Sequence, residues 1–184
     1  MRVTSAIIDF HSHILPQLDD GSNSVATSLE MMRRAAQDGT NVMVATPHYY
    51  GARQPLAEFL EKRHHAWQRL SPHLTPDLPQ VRIGAEVAFH SGIEEQECLE
   101  KLCIQGTDLL LLEMPFSAWT SYELDVLSAL ALDRGLRIIL AHFERFYALQ
   151  HDPELLTRIW ELPILLQINA GALLSFRRRG LCLR

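Results

Sequence analysis

The sequence predicts an α/β fold built from parallel βα units, and three observations carry that prediction. Short apolar runs alternate with segments of helical period along the whole chain. Several of the runs are continuously apolar, Leu109-Leu110-Leu111-Leu112 above all, which is the pattern of a strand covered on both faces. Five successive runs end on histidine or glutamate, the position that a parallel sheet exposes at its C-terminal edge.

The first strand is Ile7-Ile8-Asp9-Phe10-His11-Ser12-His13, in which side chains two apart share a face, so His11 and His13 emerge together with Asp9 behind them. Leu15 to Gly21 has the proline, aspartates and glycine of a loop and tight turn. Ser24 caps a helix whose apolar positions Val25, Leu29, Met32 and Ala36 recur at helical spacing until Gly39 stops it. Val42-Met43-Val44-Ala45 is the second strand and delivers Thr46-Pro47-His48. Pro55 to Leu70 is a helix with His64 and His65 on its solvated face, and the proline-rich stretch Ser71 to Gln80 leads to a third strand, Val81 to Val87, carrying Glu86. Residues 93 to 105 read as a short helix, and Leu109 to Glu113 as the fourth strand. Trp119 to Arg134 is an amphipathic helix stopped by Gly135, Ile138 to His142 a fifth strand, Asp152-Pro153 to about Leu162 a helix, and Ile164 to Ile168 a sixth strand ending at Asn169.

Composition excludes several classes. With 184 residues and 47% hydrophobic content the chain suits one globular domain, 1–184. A formal charge of -5, with no basic run before residue 177, speaks against nucleic acid or an anionic membrane surface as partner. No apolar stretch approaches the roughly 20 residues of a membrane span, and the start MRVTSAIIDF does not read as a secretion signal, so a cytoplasmic protein is expected. Cys98, Cys103 and Cys182 lack metal-type spacing and are expected as free thiols. The sequence leaves homo-oligomer formation open.

The chemistry lies at the strand ends. A lone H-x-H equally fits a strand with two incidental histidines, but His11, His13, His48, Glu86, Glu113 and His142 all fall where parallel strands converge. Mixed imidazole and carboxylate donors suit manganese, iron or zinc, and a bridging glutamate suits two or three divalent ions. Arg145, three residues beyond His142, is placed to clamp a phosphate, with a surface ion pair to Glu144 as the competing reading. Asp20 is the candidate general acid. An Asx turn with Gly21 describes it equally well, and Asp19 competes for either role.

Asp9-Phe10-His11-Ser12-His13-Ile14-Leu15-Pro16 with Asp19-Asp20-Gly21, then Ala45-Thr46-Pro47-His48, Gly84-Ala85-Glu86, Leu112-Glu113-Met114-Pro115, Ala141 to Phe146 and Gln167 to Gly171, in that order, resemble the polymerase-and-histidinol-phosphatase (PHP) superfamily. Within it the set is most similar to bacterial manganese-dependent protein-tyrosine phosphatases of the CpsB/YwqE type. That resemblance implies a PHP-type distorted (β/α)7 TIM-like barrel with a trinuclear site. It also implies hydrolysis of phosphotyrosine on a tyrosine kinase controlling capsule or exopolysaccharide assembly. The six strand-end residues would be metal ligands, Mn2+ foremost, with Arg145 on the phosphate and Asp20 as acid.

Two departures stand out. Phe143 takes a place usually held by proline, and no Asp or His follows Asn169, where the family continues to an Asp-x-His pair. The expectation is therefore a barrel without its last strand or strands, and an enzyme weakened accordingly. A binding or regulatory remnant without turnover, or a phosphatase of small phosphomonoesters such as histidinol phosphate, is the alternative. A cysteine-dependent tyrosine phosphatase is excluded because neither Cys98 nor Cys103 has an arginine six residues on. A lysine-bridged amidohydrolase is disfavoured because Lys62 and Lys101 fall in predicted helices.

Overall fold

A computed structural model describes residues 6–147 and 149–174, grouped into two units. The first comprises residues up to Glu86 together with Ile104–Gly106, and the second residues 87–103 and those from Thr107 onward.

In the first unit, β1 (Ile7–Ser12), β2 (Thr40–Ala45) and β4 (Gln80–Ile83) form a parallel sheet in the order β1-β2-β4, with Asp9 opposite Met43 and Ala45 opposite Ile83. α1 (Val25–Gln37) starts where expected, because the Ser24 hydroxyl accepts from the Thr27 amide at 3.1 Å. α2 (Leu56–Leu70) follows the short β3 (His48–Tyr49). Met32 from α1 and Ala66 and Leu70 from α2 meet Met43, Ala45, Ile14 and Leu15 in one buried cluster, so the helices cover the sheet and leave the strand tips to the loops. His64 and His65 are exposed on α2 as expected.

The third predicted strand is broken. β4 ends at Ile83 and β5 (Glu86–Ala88) begins after Gly84 and Ala85. The Gly84 amide still donates to the Ala45 carbonyl at 2.8 Å, but the Gly84 carbonyl accepts from the Arg63 guanidinium of α2 at 2.8 Å. Glu86 still receives a main-chain anchor, its amide donating to the Pro47 carbonyl at 3.0 Å.

In the second unit, β6 (Leu109–Glu113), β7 (Arg137–Leu140) and β8 (Leu165–Leu166) pair in parallel, with Leu112 opposite Leu140 and Leu140 opposite Leu166. Leu110, Leu111 and Leu112 are wholly buried, in keeping with the unbroken leucine run. The expected helix over 93 to 105 is instead two 3-10 turns, Ile93–Glu95 and Leu99–Leu102, because Gly92 (φ 82) and Cys98 (φ 59) both adopt left-handed backbone where each turn begins. α3 (Ser121–Ser128) is shorter than the predicted Trp119 to Arg134. A Thr120 to Glu123 capping box sets its start, and its continuation Ala129–Asp133 winds as a π-helix. α4 (Glu144–Tyr147) follows β7, and α5 (Pro153–Glu161) is capped by Asp152 as expected. The sixth strand shortens to β8, and α6 (Ala170–Leu174) follows it.

Cys98 and Cys103 are free thiols, and Cys182 lies outside the described residues, as do Arg177, Arg178 and Arg179. Burial, aided by Asp108 and Glu100, pushes the Cys103 thiol up to about 11, which makes it a core group rather than a nucleophile. Among the described residues no helix is long and apolar enough to cross a membrane.

Candidate metal centre

Four of the six strand-end residues meet in the first unit. β1 alternation sends Ser12 the other way, where its hydroxyl donates to the Val44 carbonyl at 2.7 Å, and turns His11 and His13 to one side with their Nε2 atoms 3.2 Å apart. Glu86, 1% exposed, brings Oε2 to 3.0 Å from His11 Nε2, 3.3 Å from His13 Nε2 and 3.0 Å from His48 Nδ1. His48 reaches this point from the first residue of β3.

These spacings suit a cation. Donors bonded to a metal at about 2.1 Å stand about 3.4 Å apart in a tetrahedron and about 3.0 Å apart in an octahedron. The four separations just given span that same interval. Two apposed imidazole nitrogens also have little reason to approach each other unless a proton or a metal lies between them. His11, His13 and Glu86 form one group able to hold a metal ion, and His13, His48 and Asp20 a second, with the ligand atoms of each within 4.8 Å of one another.

Asp19, not Asp20, is built into the framework. Its Oδ2 accepts from His13 Nδ1 at 2.7 Å and from the His48 amide at 3.1 Å, and its Oδ1 accepts from the Gly21 amide at 3.0 Å. The Asx turn therefore belongs to Asp19. A carboxylate on the far nitrogen of a histidine fixes its tautomer and leaves Nε2 free to bind metal. Burial opposes charge on His13, yet the hydrogen bonds and charges of Asp19 and Glu86 outweigh it and lift the imidazole to about 10. Asp19 is shifted the other way: burial alone would raise it, but the His13 hydrogen bond, chiefly, holds it below the ordinary carboxylate range. The pocket thus favours positive charge even before a cation arrives. The Asp20 side chain is 82% exposed, with Oδ1 3.4 Å from His48 Nε2, so it stands at the mouth of this cluster. Asp9, in contrast, is raised by burial, against the lowering effect of the His11 amide it accepts from at 3.2 Å.

Gly21 is required for closeness. The Ser22 amide donates to the His13 carbonyl at 3.0 Å, which folds the loop back on the strand end, and a Cβ at Gly21 would fall 2.2 Å from His13 Cβ and 2.4 Å from its carbonyl oxygen. Arg69 of α2 secures the same loop, donating to Gln17 Oε1 at 2.9 Å and to the Pro16 carbonyl at 2.5 Å.

The second unit brings the other two together. Glu113 closes β6, and His142, two residues past β7, sets Nε2 3.2 Å from Glu113 Oε1. His142 is buried and lies at φ 34, with its amide donating to Gln167 Oε1 at 2.5 Å. Phe143 packs against Trp119, Tyr147 and Trp160, and its amide donates to the Gln167 carbonyl at 2.8 Å, a bond that proline could not make. Arg145 is exposed at the start of α4 and makes no ion pair with Glu144, whose buried carboxylate instead accepts from the Asn169 amide at 3.4 Å. Sequence reasoning gave no role to Gln167, although a polar residue between Leu166 and Ile168 was a visible signal.

Comparison with known proteins follows the same lines. The family described as "Capsular polysaccharide synthesis, CpsB/CapC" matches residues 7–178. Tyrosine-protein phosphatase YwqE of Bacillus subtilis is 31% identical over 172 residues, covering 91% of this chain and 66% of that protein. Tyrosine-protein phosphatase CpsB of Streptococcus agalactiae is 29% identical over 178 residues, covering 92% of this chain and 70% of that protein. The chain thus spans about two thirds of the length of these relatives. Among solved structures, a chain described under "Crystal structures of YwqE from Bacillus subtilis and CpsB from Streptococcus pneumoniae, unique metal-dependent tyrosine phosphatases" superposes with a TM-score of 0.79 at 28% identity, covering 96% of this chain and 73% of that one.

Proposed function

The chain belongs to the CpsB/CapC capsular polysaccharide synthesis family, and from that premise we propose that it hydrolyses phosphotyrosine on a bacterial protein with the help of divalent metal ions. The observation that carries the reading is Glu86, a buried carboxylate with one oxygen within 3.3 Å of three imidazole nitrogens. His11, His13, His48 and Glu86 would hold metal in the first unit, and Glu113 and His142 would supply a further pair of donors in the second. Mn2+ is the ion we favour for this mixed nitrogen and oxygen set, with Fe or Zn as substitutes. Divalent ions bound there would make water more acidic near neutrality and draw charge from the phosphoryl oxygens.

The protein's own residues complete the reaction. Arg145, exposed and free of Glu144, binds two phosphoryl oxygens through its planar fork and orients the phosphorus for attack by water. As the new P–O bond forms, the bond from phosphorus to the phenolic oxygen breaks, and Asp20 would be the general acid that gives that oxygen a proton, releasing tyrosine and inorganic phosphate. Asp19 keeps His13 in the tautomer that presents Nε2. Glu86, shielded from water, keeps the histidines converged. The substrate we favour is a tyrosine kinase of the capsule or exopolysaccharide system, met in the cytoplasm.

Metal content per chain, measured with hydrolysis of a phosphotyrosine peptide, tests the proposal. Bound Mn2+ and turnover that both vanish in Glu86→Ala are expected. A chain that binds metal without turning over any phosphomonoester refutes the enzyme and leaves a binding protein.

A further inference from the structure

The loop after Glu113 presents an aromatic ring whose exposure nothing in the fold explains. Phe116 is 61% exposed, yet it is not loose. On one side it packs against Phe146, with ring centroids 4.9 Å apart, and it lies nearly parallel to the His142 imidazole, at 6.2 Å and 17°. The peptide groups flanking it are pinned. The Pro115 carbonyl accepts from the Ser117 amide at 2.9 Å and from Trp119 Nε1 at 3.2 Å. Buried Gln150 does the rest: its Oε1 accepts from the Trp119 amide at 2.8 Å, and its Nε2 donates to the Ser117 carbonyl at 3.2 Å and to the Phe146 carbonyl at 3.1 Å.

A single exposed phenylalanine is ordinary on a protein surface. One seated on Phe146, nearly parallel to a candidate metal ligand, in a loop whose neighbouring peptide groups a buried amide holds, is a prepared contact surface. Its neighbourhood indicates for what. Arg145, the second residue of α4, follows His142 by three residues, and its amide donates to the His142 carbonyl at 2.9 Å, so the main chain bearing this cation is tied to the histidine that the aromatic ring adjoins and that pairs with Glu113. A dianion attached to a benzene ring satisfies both at once, and an alkyl phosphate satisfies only the cation. Offset stacking between two such rings is favourable beyond the area it covers.

We propose that Phe116 sets leaving-group specificity: its exposed face stacks on the phenyl ring of an aryl phosphate, selecting phenolic over alkyl phosphomonoesters. This rests on the phosphatase reading above. The residue does no proton or phosphoryl chemistry and acts on binding.

The test uses the full chain loaded with Mn2+, a phosphotyrosine peptide as substrate, and phenylphosphonate and methylphosphonate as competing inhibitors that cannot be hydrolysed. The readout is the ratio of the two inhibition constants, which is insensitive to the fraction of a variant that folds. Phe116→Ala is expected to reduce the preference for phenylphosphonate roughly three- to tenfold, and Phe116→Trp to keep it. A ratio in Phe116→Ala within twofold of the parent overturns the inference, and so does a Phe116→Trp ratio as low as that of Phe116→Ala. In either case a parent that hydrolyses the peptide leaves the phosphatase reading intact. A parent that hydrolyses no phosphomonoester removes that reading, and this inference with it.

Discussion

Asp19→Asn isolates the part of the site that the sequence left ambiguous. The Asp19 carboxyl, 6% exposed, serves three donors: His13 Nδ1 at 2.7 Å and the His48 amide at 3.1 Å on Oδ2, and the Gly21 amide at 3.0 Å on Oδ1. Asparagine has one acceptor oxygen. If it stays with Gly21, the new NH2 faces His13 Nδ1 and forces the imidazole to accept there, which puts its proton on Nε2, 3.2 Å from His11 Nε2, where a metal would bind. If the amide turns round, the Gly21 amide loses its partner, and the charge that favours His13 as a donor is gone in both cases. Losing such a partner behind a ligating histidine weakens metal binding about 10- to 100-fold, equivalent to about 1.4 to 2.8 kcal/mol. Competition between the protein and a chelator of known affinity, followed for Mn2+, measures this directly. A variant binding Mn2+ within twofold of the parent would refute the reasoning and return Asp19 to a simple turn residue.

Other predictions follow from the same geometry. Gly21→Ala must displace the loop, since its Cβ would stand 2.2 Å from His13 Cβ, and we expect a loss of about 1–3 kcal/mol in thermal or urea unfolding together with weaker metal uptake. Arg145→Ala should retain metal and raise KM for a phosphotyrosine peptide by roughly 10- to 100-fold, the worth of a charge-assisted contact; a KM equal to the parent's would reject the clamp. In the metal-free chain His13, raised to about 10, holds its proton through neutral pH. A cation must expel that proton, so apparent metal affinity should rise about tenfold per pH unit above neutrality and level off near the raised value, with proton release visible by calorimetry in buffers of different ionisation enthalpy. The same sign gives stability: the charged His13 contacts support the metal-free fold fully below 6.5, and that support fades as pH climbs through about 10.

What could be read from the sequence was whatever depends on period and on strand ends. Leu109 to Leu112 had to be a covered strand, and Ser24 and Asp152 had to cap helices, because local chemistry dictates both. Strand parity likewise put His11 and His13 on one side. What escaped depends on contacts distant in sequence. Nothing local says that Arg63 takes the Gly84 carbonyl and so divides the third strand, and Cys98 in left-handed backbone gives no signal comparable to glycine's. Asp19 and Asp20 are chemically identical on paper. Only the fold of the loop onto the His13 carbonyl decides which of them turns inward.

The backbone at His142 has a bearing on how this protein could change over time. At φ 34 the position tolerates asparagine or glycine far better than a β-branched or bulky residue. His142→Asn would therefore remove the imidazole while sparing the turn, whereas His142→Val would damage both. A lineage that gave up the proposed metal site but kept its shape should accumulate Asn or Gly there. Such a replacement would be the recognisable scar of a lost imidazole, not of a lost fold.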